Sequence, residues 1–137
     1  MAEYLLDTDH LSYLQENHPN VLAHLASLPA TDRVFTSVVS AAELLRGVLL
    51  LPAGRRQQEL HRLYRQITET IEEILPITLT VGEQYARTEA ALRRKGRPIP
   101  INDVWVAAHA LERGAVLVTN DAHFGHVDHL QTENWTR

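Results

Sequence analysis

The chain has 137 residues, 45% hydrophobic and 22% charged, the balance of an ordinary globular protein with one substantial core. It lacks cysteine, which excludes disulfides and thiolate metal sites. No apolar run approaches the roughly 20 residues that span a bilayer, and no basic segment leads into an apolar one as in a signal peptide, so a single domain over residues 1–137 is expected, cytoplasmic and without a membrane partner.

Tyr4-Leu5-Leu6 reads as a buried strand that ends in Asp7-Thr8-Asp9. Leu11, Leu14, Val21, Leu22 and Leu25 suggest two short helices broken at Pro19. Arg33 to Thr36 is a second short strand. Ser37 then suits the N-cap of a helix from Val38 to Arg46, closed by Gly47. From Arg55 onward, Leu60, Leu63, Tyr64, Ile67, Ile71 and Ile74 recur at helical spacing and predict a long amphipathic helix. Ile74 to Leu79 is a third strand that Pro76 confines to an edge or a strand start.

Thr80 and Glu83 have the spacing of a capping box, ahead of a helix that stops at Gly96. Arg97-Pro98-Ile99-Pro100 is a stiff loop. Ile101-Asn102-Asp103 opens a helix that Gly114 ends. Ala115 to Thr119 is the clearest strand, and it delivers Asn120-Asp121. His123 to Leu130 reads as a loop and Gln131 to Trp135 as a final short strand. Helices alternating with short apolar strands are the pattern of an α/β protein with a parallel sheet covered on both faces.

Four acids fall at strand ends or helix starts: Asp7, Glu43, Asp103 and Asp121. Each has a structural reading of its own. Asp7 or Asp9 suits a helix cap, Glu43 the second half of a capping box begun by Ser40, Asp103 an N-cap, and Asp121 a turn. Taken together they suggest more. Right-handed crossovers bring the carboxyl ends of parallel strands to one edge, where ligands bind. Carboxylates crowded there repel, and a hard divalent cation such as Mg²⁺ or Mn²⁺ relieves the repulsion. Such ions activate water and stabilise charge on a phosphodiester.

Four segments carry a family resemblance: Tyr4 to Asp9, Ser40 to Gly47, Ile101 to Ala110, and Val116 to Phe124. In this order and spacing they resemble the successive motifs of PIN-domain ribonucleases, the VapC-type toxins of toxin–antitoxin pairs in particular. The resemblance runs from Tyr4 to Trp135. It implies a PIN-like three-layer fold, with a central, mostly parallel sheet of short strands flanked by helices. It implies metal-dependent cleavage of single-stranded RNA by activated water in line with phosphorus, leaving a 5′-phosphate and a 3′-hydroxyl. Asp7, Glu43 and Asp103 match the family's three core acids, and Asp121 matches a fourth, more variable position. Thr8 lies beside the first acid. Thr119 and Asn120 match polar residues beside the fourth, placed to orient water. Asp9 stands where many relatives carry Asn. The resemblance also implies an RNA substrate, a cognate antitoxin and a homodimer.

Arg93, Arg94 and Arg97 precede Asp103 and are candidates to hold RNA phosphates; cations that favour a helix C-terminus are the alternative for the first two. Arg46 follows Glu43 and is a candidate for RNA binding or for neutralising the acids. Arg55, Arg56, Arg62 and Arg65 form a second basic cluster, readable as a phosphate patch or as a solvated helix face. The long helix after Arg55 is a candidate to cover the core or to bury a homodimer face. His123, His126 and His129 recur every three residues, which makes a transition-metal cluster conceivable. His109 reads as a helix-packing residue or an exposed one. Two rival functions compete with the nuclease. A haloacid-dehalogenase-type phosphatase also begins with a strand ending in Asp-x-Asp, although no lysine precedes Lys95 to clamp phosphate. A non-catalytic RNA or protein interaction module is the other.

Overall fold

Leu5 and Leu6 are neighbours, and both are buried. Successive side chains of a strand point to opposite faces, so this strand needs cover on both. The computed structural model, which describes residues 1–137, supplies it. The chain runs β1 (Glu3–Leu6), α1 (Thr8–Gln15), α2 (Pro19–Ser27), β2 (Arg33–Ser37), α3 (Val38–Leu49), α4 (Arg55–Thr70), β3 (Glu73–Leu75), α5 (Leu79–Arg94), α6 (Ile101–Arg113), β4 (Val116–Val118), a 3₁₀ turn (Ala122–His126) and β5 (Thr132–Glu133).

The five strands form one sheet in the order β3-β2-β1-β4-β5, and every pairing is parallel. Leu5 and Leu117 join Phe35, Leu92, Val104 and Ala107 in the core beneath α5 and α6. Leu6 and Val118, one residue along, join Leu11, Val21, Leu44 and Trp135 in a second core beneath α1 to α4. The three-layer expectation is therefore met, with every strand pair parallel rather than most of them. Connections from β1 to β3 cross one face, and the return from β3 to β4 crosses the other. The strand order thus reverses direction between β1 and β4. In open α/β sheets a crevice opens at such a switch point, outside the carboxyl ends.

The two sheet edges differ in charge. At the amino edge, Arg33 pairs with Glu3, Glu72 and Glu73, and Arg113 with Glu3 and Glu73. No such cations stand at the carboxyl edge.

Several element boundaries depart from expectation. Gly47 does not end α3, which continues to Leu49 with Leu50 as its C-cap. A glycine inside a helix costs only about 1 kcal/mol against alanine, and burial of Val48 below it exceeds that. The cap of α5 is Thr78, whose Oγ1 accepts the Val81 N–H at 3.3 Å, so Thr80 and Glu83 form no capping box. β3 stops at Leu75, ahead of Pro76, and is an edge strand as the proline requires. Ser37 caps α3 and Gly114 ends α6 in the left-handed conformation, both as read. α4 has no fully buried residue, but Tyr64 and Ile67 pack on the second core, so its apolar stripe serves that core. No helix is long and apolar enough to cross a membrane.

Phe35 is fully buried on the α5–α6 side of the sheet. Phe35→Ala is expected to lower unfolding stability by about 3–5 kcal/mol in urea titrations; a loss below about 1 kcal/mol would contradict this core assignment.

Candidate active site

Asp7 leaves the end of β1 as the N-cap of α1. Its Oδ1 accepts the Thr8 N–H at 2.8 Å, and its Oδ2 accepts the Thr119 hydroxyl at 2.9 Å. The capping reading and the site reading are thus both true of one side chain. Thr119, at the end of β4, is itself buried, and its Oγ1 accepts the Asp121 N–H at 3.0 Å. Glu43 lies on α3, six residues beyond the cap at Ser37. It forms no capping box with Ser40, whose hydroxyl is buried without a partner. Instead its Oε1 accepts the Thr8 hydroxyl at 3.0 Å. Asp103 sits in the first turn of α6, whose N-cap is Pro100, so Asp103 is not the cap. Asp121 caps the 3₁₀ turn through the His123 N–H at 3.3 Å.

The electrostatics record how closely these acids converge. Burial pushes the Asp7 carboxyl up from 3.8 to about 7; the nearby Asp9 charge adds to this and Asp103 adds less, while the Thr8 N–H and the Thr119 hydroxyl pull it back. Burial also raises the Asp103 carboxyl; contact with His123 lowers it, and Glu43 and Asp121 raise it again. No lysine or arginine forms an ion pair with any of the four acids. Carboxylates from four separate elements, Asp7 buried and none paired with a lysine or arginine, form a donor set that suits a hard divalent ion.

Asp9 and His123 are the two residues whose placement the sequence left undefined. Asp9 ties α1 to β4: its Oδ2 accepts the Asn120 N–H at 2.7 Å, and its Oδ1 meets His10 Nδ1 at 2.8 Å. His10 is fully buried, and its Nε2 accepts the Trp135 N–H at 3.2 Å. That acceptor role assigns the ring hydrogen to Nδ1, which then donates to Asp9. The Asn120 amide donates to the Tyr13 hydroxyl and accepts from Asn134, so it braces the tail rather than facing the acids.

The histidine triplet does not assemble. His123 meets Asp103 and Asp121, whereas His126 and His129 line a different cavity with Arg87 and Lys95. His109 is fully buried, as a packing residue should be, and burial lowers its pKa. Among the basic residues, Arg93 pairs with Glu89 on its own helix and Lys95 with Asp128. In the second basic cluster Arg62 pairs with Glu59 on an exposed helix face. Arg46, Arg94 and Arg97 are exposed and pair with no carboxylate, so Arg46 does not neutralise the acids. It lines a shallow surface cavity beside Glu43 and Asn102.

Comparison with known proteins shows relatives of the same fold. Ribonuclease VapC1 of Haemophilus influenzae (strain R2866) is 32% identical over 136 residues, which cover 98% of each chain. Toxin FitB of Neisseria gonorrhoeae is 35% identical over 121 residues, 85% of this chain and 86% of that one. Among solved structures, VapBC-1 from nontypeable H. influenzae superposes with a TM-score of 0.86 at 31% identity, covering 98% of this chain and 99% of its own. VapBC2 from Rickettsia felis, bound to a DNA fragment from its promoter, has a TM-score of 0.86 at 28% identity, with 97% and 98% covered. The PIN domain model matches residues 4–130, and with that match the chain belongs to the PIN-domain family.

Proposed function

We propose that the chain is an endoribonuclease that cleaves single-stranded RNA with the help of Mg²⁺ or Mn²⁺, and that it is the toxin of a toxin–antitoxin pair. What supports this reading is the approach of Asp7, Glu43, Asp103 and Asp121 to one another at the carboxyl edge of the sheet, with no arginine or lysine paired to them. Relatives named as VapC ribonucleases and a toxin, and solved VapBC neighbours, support it.

In this reading the four acids hold the ion. When bound, it supplies a reactive water at neutral pH and stabilises the charge that grows on the phosphodiester. The chain's own groups do the rest. Thr119 and Thr8 donate to Asp7 Oδ2 and Glu43 Oε1 and so fix the two carboxylates before substrate arrives. Burial of Asp7 keeps bulk water away from its carboxyl. Arg46, Arg94 and Arg97, free of carboxylate partners, hold RNA phosphates, with Arg93 beside them. No covalent nucleophile is required, which separates this reaction from a phosphatase that would use Asp7 itself as the nucleophile. An antitoxin partner is proposed on the strength of the VapBC neighbours, one of them described with promoter DNA. A homodimer is proposed because Val38, Leu49, Leu50, Ile77, Leu79 and Ile101 are large apolar side chains left exposed.

Asp7→Asn retains the cap and is expected to lower cleavage of unstructured RNA by about 100-fold or more, as EDTA does to the wild type. Full activity in either case would refute the metal reading. In metal-free protein, folded Asp7 holds its proton to about pH 7, whereas its ordinary value is 3.8. Folding therefore loses stability as pH rises through that window, on the order of a few kcal/mol at most. Urea unfolding in EDTA checks this: the stability of Asp7→Asn relative to wild type is expected to rise between pH 5 and pH 7.5, and a constant difference would contradict it. For the dimer, light scattering of Leu79→Lys is expected to report a monomer where the wild type reports twice that mass.

A further inference from the structure

His123 stands apart from the four acids that define the site. Its Nε2 lies 2.7 Å from Asp103 Oδ2, and its Nδ1 lies 2.8 Å from Asp121 Oδ1. The Nε2 atom is buried, yet it has no hydrogen-bond partner, so its close approach to Asp103 is not a directed N–H···O bond. One donor atom from each of Asp103, Asp121 and His123 falls within 4.8 Å of the other two. Around an octahedral ion with bonds near 2.1 Å, adjacent donors are about 3 Å apart and opposed donors about 4 Å. The three side chains are therefore close enough together to reach a common ion, the imidazole through one of its nitrogens.

We propose that His123 is a metal ligand alongside Asp103 and Asp121, and that its imidazole tilts the site toward borderline transition ions over Mg²⁺. The proposal rests on the metal-dependent reading above. Its reasoning is the mixed donor set. Mg²⁺ favours oxygen donors and sheds water reluctantly, whereas an imidazole nitrogen suits the later first-row ions. The imidazole lies between the two carboxylates, Nε2 toward Asp103 and Nδ1 toward Asp121, so that one of its nitrogens can turn to an ion that both carboxylates share. The 3₁₀ turn explains how it gets there: Asp121 caps the turn, the turn curls at once, and His123 is folded back over the start of α6.

A nitrogen ligand is distinguishable from a counter-charge. Transition ions bind most sites more tightly than Mg²⁺ does, so a preference in the wild type alone proves nothing. The informative quantity is how the Co²⁺-to-Mg²⁺ affinity ratio changes when the nitrogen is removed. Titration calorimetry on the full chain, in the wild type, His123→Ala and His123→Phe, measures it; Phe keeps a ring against Phe124. Pulsed EPR of the Mn²⁺-loaded protein provides a second readout, because a directly bound imidazole couples its ¹⁴N to the ion.

The expected result is a fall of about tenfold or more in the affinity ratio in both variants, the size that even an outer-shell partner commands. A ¹⁴N coupling is expected in the wild type and absent from both variants. An unchanged ratio, equal tightening for both ions, or no ¹⁴N coupling in the wild type would overturn the ligand assignment while leaving the carboxylate site standing. If the wild type bound neither Mg²⁺, Mn²⁺ nor Co²⁺, the metal-dependent function would fall with it.

Discussion

Desolvation of carboxylates brought together at one edge, with their mutual repulsion added to it, is the constraint around which this molecule is built. Charge is costly to desolvate, and it is more costly beside like charge. At the amino edge the fold solves the problem conventionally, with Arg33 and Arg113 set among Glu3, Glu72 and Glu73. At the carboxyl edge it does not. There, Asp7 takes two hydrogen bonds and no arginine or lysine, and its carboxyl is driven up to about 7. That contrast between the two edges supports the proposed ligand site at the carboxyl edge.

The topology makes that arrangement inexpensive in chain length. Because β1 and β4 are neighbours at the point where strand order reverses, Asp7 and Thr119 come together with no dedicated loop. Helices on the two faces then each contribute one acid, Glu43 from α3 and Asp103 from α6. The hydroxyls between them serve as fixed spacers. Thr119 alone touches Asp7 and Asp9 and accepts the N–H of Asp121.

Much of this was legible in the sequence because it follows from short-range rules. Leu5-Leu6 before Asp7, and Val116-Leu117-Val118 before Thr119, are buried strands that deliver polar residues, and adjacent apolar residues demand a two-faced sheet. Asp7, Asp103 and Asp121 were legible as candidates because each stands at such a boundary, whereas Glu43 lies six residues past the Ser37 cap. What was not legible depends on contacts between distant segments. Gly47 looks like a stop signal, but the apolar rhythm continues through Val48 and the helix with it. Thr80 has the spacing of a cap, but Thr78 is the residue that holds the Val81 N–H. The histidines at 123, 126 and 129 suggest one cluster by spacing, yet a 3₁₀ turn sends the first toward Asp103 and leaves the other two beside Lys95. Asp9 suits a helix cap by its position, but Asp7 is the cap, and only the folded chain reveals Asp9 as the tie between α1 and β4.

That tie reaches the carboxyl terminus. Trp135 hands its N–H to His10, His10 hands its own to Asp9, and Asp9 grips the backbone beside Thr119. A substitution at Trp135 is therefore felt at the carboxyl ends of β1 and β4 through two intervening side chains, far as it stands from them in the chain.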